Sequence, residues 1–482
     1  MIAPRELPRQ TLRLRLLLPL LSIALLAGCA SVDFDRSVAR SNQDAGAFTN
    51  GQLSLAQTDA QRDALQVIAT RLLERPLDQA AAVQLALVNS PALQAMLAEN
   101  WVSATNAAQS GRIANPLFML SRVRTGAELE IERALAFGLL DLLTLPQRYG
   151  VAQRRLEEAQ LRLTADVIDQ VTQVRQAWVK AVSAQQNFAY AKQVQVSAEA
   201  SAELARRMQA VGNFSKLARA RQQSFYADAT TQLAMAQRTA TEGREELVRL
   251  LGLTEAQSTQ MTLPERLPAL PMAPREPADV NNAARDGRLD VRIARSSFET
   301  TAKAQGLGWL TTFGDIELGL RRDTRFDNDA GTSTPGRGYE ISLRLPIFDW
   351  GGIQRAGMSA QALAAANRLE ATMRAAGSHL RQSYSAYRTT YDIARHYRDE
   401  VLPLRKAIAE ENVLRYNGML IGVFELLADS RDQINSVMAA IAAEQQFWLA
   451  DAALQASIVG KPTMMPMGAM PTTASGSGNA GH

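Results

Sequence analysis

The 482-residue sequence holds one cysteine, Cys29, and three histidines, His379, His396 and His482. A single cysteine excludes an internal disulfide and a thiolate metal cluster. No second histidine or cysteine stands at ligand spacing from any of the three histidines. A nucleophile elbow and a phosphate loop are both missing. Gly351-Gly352 opens a helix but lacks the surroundings of a nucleotide loop. These absences argue against an enzyme and against a bound cofactor. Charge of one sign is also lacking, with 52 basic against 48 acidic side chains. Four of those arginines and one glutamate lie before Cys29, so the remainder is nearly neutral and offers no basic patch for nucleic acid. Aromatic residues make up only 6%. Ala, Gln, Arg, Leu and Glu dominate instead, which is the composition of long helices.

Arg5, Arg9, Arg13 and Arg15 precede an apolar run from Leu16 to Ala27. A basic segment before a short apolar one has the form of a secretory signal, and the run falls short of the roughly 20 residues of a spanning helix. It ends in Leu26-Ala27-Gly28-Cys29, which resembles the bacterial lipobox. That resemblance implies a signal peptide over 1–28, cleavage before Cys29 and a covalent lipid, palmitate included, on its thiol. Ala30 follows, and the resemblance to sorted lipoproteins then favours the outer membrane.

The rest of the chain is built twice. Val174-Arg175-Gln176-Ala177-Trp178 recurs as Leu380-Arg381-Gln382-Ser383-Tyr384, and Gly212 recurs as Gly418. Ala220-Arg221-Gln222-Gln223 matches Ser430-Arg431-Asp432-Gln433 at a slightly larger offset. From Val151 to Ala210 there is no proline or glycine, and Leu156, Ala159, Leu163, Val167, Val171, Val174, Trp178 and Ala181 recur with the helical period. Leu369, Met373, Ala376, Leu380, Tyr384, Tyr387, Tyr391 and Ala394 do the same in the second copy. Returning helices are expected from Ser215 to Leu251 and from Val423 to Val459, giving two antiparallel hairpins. Pro264, Pro268, Pro271, Pro274 and Pro277 mark an extended connector between the copies. The expected organisation is a lipidated segment 29–76, a first repeat 77–253, the connector 254–278, a second repeat 279–460 and a Met/Gly/Ser-rich disordered tail 461–482.

Each repeat also offers a strand pair. Leu117 to Arg124 is followed by a turn at Thr125-Gly126 and by Leu129 and Ile131 alternating with Glu128, Glu130 and Glu132. In the second repeat Ile316, Leu318 and Leu320 alternate with polar residues. A polar loop is expected from Asp323 to Gly338, and then Tyr339, Ile341, Leu343 and Leu345 alternate again. One charged face per strand excludes burial on both sides. An apolar face with no segment left to cover it needs lipid or another subunit. Strands in lipid must close into a barrel, and four strands are too few, so several chains would have to combine. The plainer reading is two soluble hairpins packed on helices.

At this point the residues resemble a family. Leu77-Asp78-Gln79-Ala80, leading to Asn89-Ser90-Pro91-Ala92-Leu93, is similar to the opening helix motif of the TolC-like outer-membrane efflux proteins. Asn115-Pro116-Leu117, Leu345-Pro346-Ile347-Phe348-Asp349-Trp350-Gly351-Gly352 and Arg415-Tyr416-Asn417-Gly418 resemble further motifs of that family, while Phe137-Gly138-Leu139-Leu140-Asp141 departs from it. The resemblance implies a mainly α fold with a small β part. Duplicated long antiparallel helical hairpins and four β-strands per chain would complete a trimeric transmembrane β-barrel and a periplasmic α-barrel. It implies a homotrimer in the outer membrane extending into the periplasm, a periplasmic adaptor protein and an inner-membrane pump as partners, and a passive duct. The hairpin tips Val211, Gly212, Asn213, Asn417 and Gly418 resemble those that meet an adaptor. Equally, each glycine could simply cap its helix in the left-handed conformation. Glu425 and Asp429 share a helix face and would form acidic rings at an aperture, or else serve only as solvated acids near a helix N-terminus.

Met464, Met465, Met467 and Met470 in the tail are soft thioethers suited to Cu(I) or Ag(I), so copper or silver ions stand beside drugs as conceivable cargo. Incidental methionines in a disordered tail are the simpler account. The competing class is a periplasmic adaptor or structural coiled-coil lipoprotein, which would show one hairpin rather than two.

Overall fold

The computed structural model describes residues 33–463 except 50, 286, 312–315, 328, 344–347 and 349. The leader 1–28, Cys29 and the tail methionines Met464, Met465, Met467 and Met470 lie outside the described residues, as does much of the 345–352 motif. In chain order the elements are α1 (Phe34–Thr49), α2 (Asp59–Leu73), α3 (Gln79–Asn89), α4 (Pro91–Gln109), β1 (Leu117–Thr125), β2 (Glu128–Gly138), α5 (Leu139–Leu143), α6 (Leu145–Ala210), α7 (Lys216–Leu251) and α8 (Glu255–Gln260). There follow α9 (Pro277–Arg285), α10 (Leu289–Thr311), β3 (Ile316–Asp327), β4 (Thr332–Leu343), α11 (Gly352–His396), a π turn (Tyr397–Val401), α12 (Leu402–Asn417) and α13 (Val423–Val459). The chain divides into two compact units that cut across the duplication, since each takes segments from both copies.

The first unit, 99–160 and 293–370 with Phe34, contains the sheet. Its strands run in the order β1-β2-β3-β4, all antiparallel, so among the described residues β1 and β4 are open edges. The expected polar loop 323–338 is instead ladder. Asp323 pairs with Gly336 and Asp327 with Thr332, leaving only a short turn that includes Gly331 at φ +62°. β2 likewise runs on to Gly138, beyond the alternation read from the sequence. α6 starts six residues before Val151, taking in Pro146 and Gly150. Proline is tolerated in a first turn because the donor it lacks has no partner there. Asp141 accepts a hydrogen bond from Arg148 at 2.5 Å, and Arg148 also donates to the carbonyl of Arg112 at 3.1 Å, tying α5 to α6.

The second unit, 35–98, 161–292 and 371–463, holds most of the buried core. α6 is 66 residues, about 99 Å at 1.5 Å per residue. Its counterpart in the second copy is not continuous. Pro403 cannot donate to the preceding turn, and the π turn 397–401 takes up the misfit between α11 and α12. The connector is only partly extended. Thr254 closes a capping box with Gln257 to start α8, and Pro277 opens α9. Between them the backbone is held by side chains. Tyr391 donates to the carbonyls of Pro271 and Met272, Trp448 to Pro268, and Tyr384 to Arg275. Tyr387, Tyr391 and Phe447 form a buried cluster beneath it, with centroids 5.5–5.7 Å apart. Each such side chain contributes roughly 1.5–3 kcal/mol by burial.

The Asn89-Ser90-Pro91 motif gains a physical account here. The Asn89 amide donates to the carbonyls of Leu251 and Gly252 at 3.1 and 2.9 Å, closing the C-terminus of α7. Gly252 sits at φ +65°, and a Cβ on it would lie 2.3 Å from Cδ of Pro91. Only glycine combines that dihedral with that approach. In the second copy Arg288 plays the part of Asn89, donating to the carbonyl of Ser457 at 2.9 Å near the end of α13.

Candidate functional site

The sheet separates its side chains sharply by register. Among the described residues, one face carries Glu128, Glu130, Glu132, Glu317, Asp323, Asp327 and Glu340, against only Arg321 and Arg325 as bases. Arg321 pairs with Glu132 at 3.1 Å and Arg325 with Glu130 at 3.4 Å. The other face carries Phe118, Leu120, Leu135, Phe137, Ile316, Leu318, Leu320, Tyr339, Ile341 and Leu343 in its helix-proximal half. Many of these are open, among them Phe118 at 62% and Tyr339 at 76% exposure. Period-2 alternation therefore yields an acidic and a mainly apolar face on β2 to β4, while β1 sets the exposed Leu117, Met119 and Val123 on the acidic side.

The hairpin tips belong to the second unit. At the first, Gly212 adopts φ +79°, its N–H donates to Gln209, and the Asn213 N–H donates to Met208. This is a Schellman end with glycine in the left-handed position. Ser215 then caps α7 by accepting from the Ala218 N–H at 3.1 Å. The second tip repeats the bonds but shifts the residue. Met419 donates to Tyr416 and Leu420 to Arg415, and Met419, not Gly418, holds the left-handed conformation at φ 57°. Gly418 stays at φ −78°, so the expectation that it would supply the left-handed cap is corrected. Gly422 starts α13 without a side-chain cap. Val211 is 71% and Met419 93% exposed.

No protein-family model matches the sequence, and no curated protein sequence matches it. Solved structures do. A membrane protein from Pseudomonas aeruginosa superposes with a TM-score of 0.65 at 19% identity, over 81% of this chain and 93% of that one. The outer membrane protein VceC from Vibrio cholerae gives 0.62 at 14%, over 83% and 96%. The Campylobacter jejuni CmeC outer membrane channel gives 0.65 at 14%, over 85% and 89%. The chain has the TolC-like fold.

Within this fold the two acids singled out for an aperture are not equivalent. Glu425 is exposed in the first turn of α13. Asp429 is half-buried and accepts a hydrogen bond from the amide of Asn412, itself buried on α12. Asn412 was not singled out from the sequence; it lies five residues before the end of α12, and Asp429 six after the start of α13. A neighbouring contact joins the two hairpins. Arg431 donates to Oε1 of Gln222 at 3.1 Å and lies 4.2 Å from the centre of the Phe225 ring, so the duplicated landmarks meet face to face. Burial lowers the Arg431 pKa, only partly offset by Asp228. On α6, Glu203 takes hydrogen bonds from Arg206 and Arg207, which hold its carboxyl at about 2.

A second polar cluster escaped the sequence reading. Arg175 donates to the Phe48 carbonyl and to Oε1 of Gln455, and stands 4.5 Å over the Phe48 ring. Asp451 accepts from Gln455 and pairs with Arg275 at 3.3 Å. Burial raises the Asp451 carboxyl and lowers the Arg175 guanidinium, against their mutual attraction. The cluster binds α1, α6, the connector and α13 together. Repeat landmarks flagged Arg175, but nothing in one sequence pairs it with Asp451.

Among the described residues no group of three or more His, Cys, Asp or Glu could hold a metal ion. No single described helix is long and apolar enough to cross a membrane. α3 with α4 passes as a pair bent by 57°, yet Val83, Leu85 and Leu87 of α3 are buried in the core.

Proposed function

We propose that the protein is a passive exit duct of the bacterial outer membrane, the outermost part of a tripartite export assembly. The observation that carries this reading is the four-stranded sheet, with one face acidic, the other apolar and exposed, and both edges unpaired. Unpaired edges cannot persist in lipid, so the strands of one chain must pair with those of others. Three copies give a twelve-stranded barrel with the acidic face toward a water-filled lumen. Strands of 9, 11, 12 and 12 residues suit the roughly 9–11 residues of a tilted membrane strand.

The helical hairpins then extend into the periplasm. The tips Val211, Gly212, Asn213, Asn417 and Gly418 dock a periplasmic adaptor, through which an inner-membrane pump delivers cargo such as drugs or, if the tail thioethers bind them, copper or silver ions. Glu425 and Asp429 narrow the periplasmic end, and a lipid on Cys29 adds a second attachment to the membrane. No catalytic step or cofactor is needed. An adaptor or structural coiled-coil lipoprotein does not call for strands with an apolar face.

Purified full-length protein in a planar bilayer tests the reading. A cross-linkable trimer with discrete, cation-preferring conductance is expected. Protein that stays monomeric and silent in bilayers would defeat it.

A further inference from the structure

The apolar face of the sheet is not apolar throughout. Arg133 on β2 stands opposite Arg322 on β3, and Arg322 stands opposite Arg337 on β4. The three form one row across three adjacent strands, each exposed. Arg122 and Arg124 lie on the same face, farther toward the turns. Among the described residues this face carries no acid, since register sends every strand carboxylate to the opposite face. Arg133 donates to the uncharged Oγ1 of Thr324 at 3.4 Å, which supplies no counter-charge.

Two physical points make this arrangement unusual. Like charges directly opposite one another in a sheet are unfavourable, and here two such pairs share Arg322 with no counter-charge. Arginine aimed at hydrocarbon is also costly, least so near the membrane surface. The row lies immediately beyond the apolar rows Phe118–Leu135–Leu320–Tyr339 and Phe137–Leu318–Ile341, on the side of the turns and away from the helices. Ile131, Leu129 and Phe326 continue this face beyond the row, which therefore lies on the turn-side half of the strands; if the helices are periplasmic, that half belongs to the outer leaflet.

We propose that Arg133, Arg322 and Arg337 form a binding site for the phosphate groups of an outer-leaflet lipid, a phosphorylated glycolipid packed against the barrel wall. Guanidinium suits phosphate through paired N–H donors. Strands about 4.8 Å apart set the three arginines over roughly 10 Å, enough to engage a headgroup with more than one phosphate. The anion supplies the missing counter-charge and relieves the repulsion along the row. The acyl chains then lie on the apolar rows below. The inference rests on the reading of the strands as membrane-spanning.

The test is titration of the full-length channel in detergent with fluorescent lipopolysaccharide. Wild type should bind with an affinity that falls as salt rises, and R133Q/R322Q/R337Q should bind about tenfold more weakly or worse, given the strength of charged hydrogen bonds. R321Q/R325Q, on the acidic face, should bind like wild type. Equal binding by wild type and the triple variant overturns the proposal, as does salt-insensitive binding by wild type. Should the triple variant fail to assemble, R337Q at the edge strand replaces it, with a several-fold loss expected and no loss refuting. Bilayer conductance of the same wild-type preparation separates the two readings. A conducting channel with unaltered variant binding sinks only the lipid site, whereas a silent wild type sinks the barrel itself.

Discussion

The hydrogen bond between Asn412 and Asp429 gives the sharpest prediction about the proposed duct. It clamps α12 to α13 close to the second tip, with Asn412 buried and Asp429 half-buried. A hydrogen bond to a charged group contributes about 1.5–3 kcal/mol. Losing it should favour local opening by roughly 10- to 150-fold per protomer at 1.4 kcal/mol per decade. The proposed trimer would carry the clamp three times, so an aperture held by all three would open far more often in the variant. Asn412→Ala, Asp429→Ala and the pair together form a double-mutant cycle. If the bond is what matters, the double variant should open no more than either single one. Replacing Glu425 and Asp429 together should also raise conductance and reduce cation preference, because the exposed Glu425 would contribute to the ring by charge alone. Single-channel recording in planar bilayers reads open probability and selectivity. Unchanged conductance and selectivity in all four variants would refute the gating role, and additive effects of Asn412→Ala and Asp429→Ala would refute the clamp as a unit.

Three further predictions concern stability and sorting. Met419→Gly should stabilise the second tip by about 0.5–1 kcal/mol, the left-handed cost of a side chain less the extra freedom of glycine in the unfolded chain. Met419 is too exposed to lose packing, and slower amide exchange at residues 416–420 would show the gain, whereas faster exchange would contradict it. Asp451 has its carboxyl raised by burial, so the folded protein holds the proton more tightly than the unfolded chain. Stability should therefore fall as pH rises from about 4 through the raised folded value, and be level above it. Thermal melts of wild type minus those of Asp451→Asn isolate this slope, and a difference rising with pH would show the sign to be wrong. Cys29→Ser should lower the amount of protein in the outer membrane while leaving the unit conductance of assembled trimers intact. Normal sorting of the variant would remove the lipid from the account.

Much of the helical part was legible because its ends are chemically marked. α13 runs from Val423 to Val459 as read, bounded by Gly422 and by Gly460 in the left-handed conformation. Leu251 ends α7 against Gly252 for the same reason. The second tip misled by one residue, because Gly418 carries the usual signature while Met419 carries the strain. Exposure permits this, since a methionine that packs on nothing gives hydropathy patterning no reason to mark it. The strand ends misled in a more instructive way. Leu318 and Leu320 announce a strand, and Arg322, Thr324 and Asp323 seem to end it, yet the ladder continues to Asp327. Backbone pairing obeys the hydrogen-bond register, whereas apolar alternation obeys whatever touches each face. On this face the apolar side chains thin out past the arginine row, where Ile131, Leu129 and Phe326 stand among Arg122, Arg124, Thr324 and Ser333, although the strands do not end. The expected loop at 323–338 was misread for that reason, and the residue at which alternation fails, Arg322, belongs to the row for which lipid phosphate is proposed.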